Sequence, residues 1–387
     1  MAEEKKLDRR EFVKCSCAAG GGLLMATPMG ALATGTSKEN VKSRGYAAID
    51  TSGKLVPWSF ERRPVGDHDI LIDIKYASIC HSDIHQEKGH WGPQKYPQVP
   101  GHEIVGIVAA VGSKVTKFKV GDRAGVGCMV NSSLENLDQV ENEEQYTPGT
   151  VFTYGYPEKD SPTGISQGGY ATNIVVRDHF AVHIPEHISF QEAVPLLCAG
   201  ITTYSPLMKA QLKKGMKVGV AGIGGLGHMA VKIAVSKGAE VYAFTTSASK
   251  VKDILGFGAK EVIVVDDLSK LAAYQGKLDY MISTIPYQYN VAAYVAVVKP
   301  YGTFCQVGMP ERFEVTLNAL GLAASRVNFN ASLIGGMKET QEVVDYCADH
   351  KVLPTIQIIR AEQINEAWES VVNKKARYRY VIDAATF

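Results

Sequence analysis

The stretch SICHSDIHQEKGHWGPQKYPQVPGHEIVG, residues 78–106, gathers Cys80, His81, Asp83, His85, His90, His102 and Glu103. Thiolate and imidazole are the donors that suit zinc, and a catalytic zinc takes three protein ligands and keeps one position open. Composition alone does not choose among these candidates. A lone His in such a stretch is more often a loop or core residue than a ligand. Metal binding rises above that reading because the cluster stands in front of a nucleotide-type segment.

That segment is VGVAGIGGLGHMAVKIAVSKGAEVYAFTTSASK. Gly222, Gly224 and Gly227 form G-x-G-x-x-G between an expected strand and an expected helix. The first glycine allows a tight turn, and the second lets the backbone approach a pyrophosphate. The third permits close helix–strand packing, with the helix N-terminus facing the anion. A lone glycine motif is weak, but here strand, helix and second strand fall where a βαβ unit needs them. Gly225 and Leu226 inside the motif, and Val307 and Gly308 at the end of a later strand, complete the candidate contacts. An NAD site places Asp or Glu about 20 residues on, to accept the ribose 2′-hydroxyl. This chain offers Thr245, Thr246 and Ser247 there, with Lys250 close behind. Hydroxyls and an ammonium suit a 2′-phosphate and a carboxylate does not, so NADP(H) is the expected dinucleotide. The alternative is an ordinary polar loop with NAD held through other contacts.

The elements that must position these residues change texture along the chain. From about residue 45 to 190 the pattern is short strands broken by Gly and Pro, as in DILIDIKYASIC, IVGIVAAVG and GGYATNIVVR. Near 190, SFQEAVPLLCAGITTYSPLMKA reads as one helix, kinked or ended by Pro206. Strand and helix patterns then alternate from KVGVAGIG to GTFCQVGM, which is the signature of a doubly wound parallel sheet. After about 332 come a helix around TQEVVDYCADH, another around AEQINEAWESVVN and a terminal strand, RYVID. A tail this short completes the first domain rather than forming a third. The fold class is therefore α/β, a Rossmann-type domain over 191–331 beside a mainly β domain built from 36–190 and 332–387.

The 387 residues include 41 Lys plus Arg against 40 Asp plus Glu, a balance that argues against a general nucleic-acid binder. No segment after residue 35 reads as a bilayer span. Residues 1–35 open with charge, lose it after Lys14 and end in Ala31-Leu32-Ala33, a small-x-small form read by signal peptidase. DRREFVK, with Arg9, Arg10, Phe12, Val13 and Lys14, resembles a twin-arginine export signal. The expected location is periplasmic, with a cytoplasmic enzyme as the alternative. Such a compartment has no evident NADP(H) pool, so export with the nucleotide already tightly held is expected. Beyond the signal, Cys80, Cys128, Cys198, Cys305 and Cys347 are scattered and give no disulfide framework.

CHSDIH, YPQVPGHE, Gly121-Asp122, LLCAGITTYSPL and GIGGLGH together resemble the zinc-dependent medium-chain alcohol dehydrogenases, from about residue 45 to the C-terminus. SLIGGMKETQEVVDYCADH and INEAWESVVNKKARYRYVID resemble the cinnamyl alcohol dehydrogenase-like branch. The resemblance implies a GroES-like catalytic domain and a catalytic zinc on Cys80, His102 and Cys198. It makes Glu103 a carboxylate able to enter the coordination shell and Asp83 the partner that orients His102. Zinc would act as a Lewis acid on an alcohol or aldehyde oxygen, and the dinucleotide would carry the hydride. A proton relay would run through Ser82 and the nicotinamide ribose to His85 at the surface, with His81 near the pyrophosphate. Trp91 would wall an aromatic or long-chain pocket, or be an exposed loop residue. The implied substrate is a primary alcohol or aldehyde, and a homodimer is plausible.

Family members commonly carry a structural zinc held by closely spaced cysteines on a protruding lobe. The stretch CMVNSSLENLDQVENEEQYT, residues 128–147, occupies that place with five carboxylates and no Lys or Arg. By alignment the ligand positions fall at Ser133, Asn136, Gln139 and Thr147, and neutral hydroxyls and amides are poor zinc ligands. The expectation is one zinc per subunit, no structural zinc, and a solvated lobe rather than a Ca²⁺ loop. Two rivals remain: a zinc-free reductase of the same build, and a non-catalytic nucleotide-binding redox sensor.

Overall fold

The computed structural model describes residues 39–132, 142–312 and 314–387. The export-type stretch and the positions Ser133, Asn136 and Gln139 lie outside the described residues. The first strands, β1 (Val41–Ala48) and β2 (Leu55–Arg62), pair as an antiparallel hairpin. β3 (Asp69–Ser78) realises the alternation of DILIDIK: Ile70, Ile72 and Ile74 point into the core while Asp73 and Lys75 face solvent. β4 (Ile104–Val111) and β5 (Arg123–Val126) continue the sheet antiparallel. β6 (Met129–Asn131) and β7 (Val151–Phe152) pair on either side of the acidic stretch. β8 (Asn173–Arg177) and β9 (Ala181–His183) return to the main sheet, on β3 and β5.

Six parallel strands follow: β10 (Lys217–Ala221), β11 (Glu240–Thr245), β12 (Glu261–Val264), β13 (Leu278–Ser283), β14 (Val298–Gln306) and β15 (Asn328–Ala331). Their order in space is β12-β11-β10-β13-β14-β15. The strand order reverses between β10 and β13, and a doubly wound sheet binds its nucleotide at the carboxyl ends of such strands. The chain then goes back. β16 (Ile356–Ile359) and β17 (Arg379–Asp383) extend the first sheet, β17 pairing with Tyr76–Ser78 of β3. The α/β class with a Rossmann sheet and a mainly β partner is the observed one.

The expected single helix at 190–210 is broken. A short helix, Phe190–Ala193, passes into a 3₁₀ turn, Val194–Leu197, and the long helix starts only at Ala199. Pro195 supplies no N–H to an α-helical ladder, and Cys198 takes a non-helical conformation at the N-cap. The break turns Cys198 out of the helix. Pro206 lies inside Ala199–Lys209 and does not end it. Leu196 and Leu197 are fully buried in a cluster that runs from Ile70 and Ile104 of the first sheet to Val218 and Val220 of the second. Each such leucine contributes about 2 kcal/mol of burial. Cys198 is thus anchored where the cores of the two sheets join. Cys305 and Cys347 are core residues, and the five described cysteines are all free thiols.

Candidate active site

Asp83 organises the cluster. Cys80 caps the helix His81–Glu87, and its N–H donates to Asp83 Oδ2 at 2.9 Å. Tyr170 Oη donates to the same oxygen at 2.8 Å. On the other oxygen, His102 Nδ1 sits at 2.8 Å and the Gly101 N–H at 3.3 Å. One buried carboxylate therefore fixes a cysteine through its backbone and a histidine through its ring. The Asp83 contact assigns the imidazole proton to Nδ1 and leaves the Nε2 lone pair free to bind a metal. Nε2 lies 3.2 Å from Cys198 Sγ. Donor atoms of Cys80, His102, Glu103 and Cys198 all fall within 4.8 Å of one another, and all four residues are buried. Gly101 has to be glycine here: φ is +103°, and a Cβ would stand 2.5 Å from the Tyr170 ring.

Two thiols and an imidazole aimed at one point fit a zinc ion, with Glu103 behind them. Glu103 is held back: Arg379 Nη2 donates to it at 2.6 Å, and Ser78 Oγ donates to its other oxygen. Burial pushes the Glu103 carboxyl up to about 7 against the pull of Arg379. A hydrogen bond with Cys198, and then the charges of Arg379 and His102, hold the Cys80 thiol well below its usual range. Tyr154 Oη stands 3.3 Å from His102 Nδ1. Tyr154, Tyr170, Ser78 and Arg379 are the residues that sequence reasoning missed.

The relay residues fall partly where expected. Ser82 Oγ lies 3.7 Å from Cys80 Sγ, beside the cluster. His85 is not at the surface. It is buried, with Trp91 stacked on it at 5.3 Å and 25° and with His90 Nδ1 at 2.8 Å from its own Nδ1. The half-exposed group at this end is His90. The reason is local: the chain turns back after Glu87 and lays His90 and Trp91 over the helix that carries His85. His81 is 4.8 Å from the His85 ring and edge-on to Tyr287 at 5.3 Å. Burial, then His85 beside it, pushes the His81 imidazole down to about 4.

The glycine motif lies at the β10–β13 switch point. A Cβ on Gly227 would stand 1.9 Å from the Gly222 carbonyl, while one on Gly224 would meet nothing within 4 Å. The third glycine thus serves packing, and the second leaves open space for a ligand. Gly222, Gly224, Gly225, Leu226, Thr245, Thr246, Ser247, Lys250, Val307 and Gly308 all line one cavity of about 810 Å³ together with Cys80, His102 and Cys198. Gly227 lies behind the wall. Thr245 is buried and caps the turn through the Ser247 N–H at 3.1 Å, while Thr246 is exposed. Lys250 is tucked inward, its Nζ on the Ile223 carbonyl at 3.1 Å and over the Tyr378 ring at 5.1 Å. Burial, with Arg377 adding to it, pushes the Lys250 ammonium down to about 8. Arg377 is anchored on Ser249 at 3.0 Å. Asp266 and Asp267 also reach the cavity, from the end of β12 rather than β11.

Trp91, Phe152, Tyr154, Tyr156, Met309 and Leu333 line the apolar end of the cavity. Trp91 is therefore a wall residue, its Nε1 donating to the Pro310 carbonyl at 3.2 Å. Cys128 also lines the cavity, beside Cys198. The described end of the lobe carries different chemistry. Glu144 Oε2 accepts from the Met337 N–H at 3.0 Å, and Oε1 lies 2.8 Å from His179 Nε2. Asn142 Oδ1 accepts from the Glu339 N–H at 3.1 Å. Thr147 is buried, with no hydrogen-bond partner for its hydroxyl among the described residues.

Residues 66–186 match the Alcohol dehydrogenase GroES-like domain and residues 225–349 the Zinc-binding dehydrogenase family. The chain is 44% identical to the NADP-dependent alcohol dehydrogenase C 1 of Mycolicibacterium smegmatis, over 88% of this chain and 97% of that relative. The chain belongs to the zinc-type medium-chain alcohol dehydrogenase family. Among solved structures it resembles a cinnamyl alcohol dehydrogenase from Sorghum bicolor, with a TM-score of 0.85 and 37% identity over 89% of this chain and 98% of that one. It also resembles a Helicobacter pylori cinnamyl alcohol dehydrogenase complexed with NADP(H), with a TM-score of 0.84 and 40% identity over 90% and 99%. Membership makes the molecule an oxidoreductase of the alcohol dehydrogenase/aldehyde reductase type. No helix among the described residues is long and apolar enough to cross a membrane.

Proposed function

We propose that this dehydrogenase holds one catalytic zinc on Cys80, His102 and Cys198, uses NADP(H), and acts on primary alcohols or aldehydes with an aromatic or long aliphatic group. The observation that carries the reading is the convergence on one cavity of His102 Nε2 and Cys198 Sγ, 3.2 Å apart, with Nδ1 committed to Asp83. Bound there, zinc would supply Lewis acidity to a carbonyl or alcohol oxygen, and the dinucleotide would supply or take the hydride. The chain's own residues do the rest. Asp83 keeps the His102 tautomer, and Arg379 with Ser78 restrains Glu103. Ser82 stands beside Cys80 to hold a proton near the reacting oxygen. His85 takes that proton inward of Trp91 and shares it with His90. The aromatic wall from Trp91 to Tyr156 excludes water and favours an apolar substrate.

Support for NADP(H) is the absence of a carboxylate at Thr245-Thr246-Ser247 and the cations Lys250 and Lys374, which line the cavity and stand over the Tyr378 and Tyr287 rings. The Mycolicibacterium smegmatis relative is named NADP-dependent, and the Helicobacter pylori structure is a complex with NADP(H). A panel of aldehydes and alcohols assayed with NADPH and NADH tests the reading. The expected result is turnover of aromatic or long-chain aldehydes with NADPH favoured, the preference falling about tenfold in Lys250→Ala/Lys374→Ala. An enzyme indifferent to the nucleotide contradicts the assignment.

A further inference from the structure

His85, His90 and Glu311 lie outside the zinc cluster, yet their donor atoms also fall within 4.8 Å of one another. His85 Nδ1 and His90 Nδ1 face each other at 2.8 Å, and Glu311 Oε1 stands 3.3 Å from His90 Nδ1. We propose that these residues form a second, exchangeable site for a borderline divalent transition metal of the Zn²⁺ class, whose occupation caps the proton exit of the active site.

Two imidazoles and a carboxylate are a donor set zinc uses, with room for one further ligand. Zn–N bonds of about 2.05 Å at a tetrahedral angle put neighbouring donors about 3.3 Å apart. The His90–Glu311 pair already has that spacing, and the two Nδ1 atoms reach it by opening about half an ångström. The donors come from two parts of the fold held together without a metal. His85 sits on the helix His81–Glu87 and His90 on the turn after it, while Glu311 follows β14. The Trp91–Pro310 hydrogen bond of 3.2 Å joins these segments next to the site, and Trp91 also stacks on His85. Tetrahedral binding therefore asks for small side-chain shifts rather than domain movement.

The site differs from the catalytic cluster in exposure. The Glu311 side chain is 56% exposed and that of His90 29%, against four buried donors in the cluster. A metal here would bind more weakly and exchange with solvent. It would also take the His85 nitrogen that faces His90, so turnover should fall as the site fills.

The test uses holoenzyme with its tightly held zinc in place, dialysed free of loose metal and titrated with Zn²⁺ by calorimetry alongside NADPH-oxidation assays. One further equivalent should bind, inhibition should follow the same midpoint, and a weak chelator should restore the rate. Glu311→Gln should keep the basal rate and weaken the further equivalent at least about tenfold, and His90→Asn should weaken it likewise. The absence of a further equivalent, or an affinity unchanged in both variants, overturns the site. Binding that leaves turnover untouched overturns the cap. The metal count does not depend on the relay assignment, so the two readings fail separately.

Discussion

The pocket around Asp83 and the lobe ending at Glu144 solve the same problem, holding a loop in place, with opposite materials. Around Asp83, thiols and an imidazole are gathered so closely that a cation would complete them. At the lobe, a carboxylate and an amide do the holding. Glu144 and Asn142 accept the first N–H groups of the helix Met337–His350, with His179 on the far side of Glu144. Helix N-termini leave such donors unpaired and favour negative charge. The Glu144 carboxylate therefore has a docking purpose. The proposed holder is a metal in the first region and side-chain hydrogen bonds in its stead in the second.

The largest effect should come from breaking the first region. Cys80→Ser removes a ligand, and loss of Lewis acidity of about 4 kcal/mol lowers aldehyde-dependent NADPH oxidation about a thousandfold, with zinc lost in parallel. A zinc-free reductase of this build would keep its rate, and a nucleotide sensor would have none to lose. Next, Asp83→Asn keeps the shape but leaves one acceptor oxygen where two served, so either the His102 ring or the Cys80 N–H faces an amide NH2 group. Zinc affinity, measured by chelator competition, should fall about 10- to 100-fold.

In the second region, Glu144→Ala should lower the unfolding free energy by about 2 kcal/mol in denaturant melts, without changing the zinc content. The pH dependence has a definite sign. Burial opposes the Glu144 charge, yet the His179 contact and the Met337 N–H hold its carboxyl below the usual range. Its contribution is present above the unfolded carboxylate pKa and is lost as pH falls through the lower folded value. Melts of Glu144→Ala should therefore converge on the parent at acid pH. Glu87 makes the smallest and opposite case. It is fully buried, with both carboxylate oxygens unpartnered among the described residues, and burial, then Asp83, pushes its carboxyl well up. Stability from its neutral form is present below the unfolded pKa and is lost as pH rises. Glu87→Gln should thus gain about 1 kcal/mol on the parent at alkaline pH relative to pH 5.

The legibility of these regions follows from the range of their contacts. Alternation in β3 and β4, and the strand–glycine–helix pattern around Gly222, are local and could be read directly. Cys80, His102 and Cys198 were assigned through family resemblance, since spacing alone left seven donors in play. Tyr170 meets Asp83 across 87 residues and Arg379 meets Glu103 across 276, and no local pattern marks either residue. The break before Cys198 was signalled by Pro195 but masked by the helix-period apolar face around it. Burial of His85 depends on how the Gly89–Gly92 turn folds back, which composition does not set. The lobe's missing thiols were legible, whereas its anchor was not, because Met337 lies 193 residues from Glu144.

Zinc per chain, measured by elemental analysis after dialysis against a weak chelator that strips exchangeable metal, tests the contrast most directly. One zinc per chain in the parent protein, and none in Cys80→Ser, is the predicted result. Two tightly held zincs in the parent, or one retained in Cys80→Ser, would contradict it.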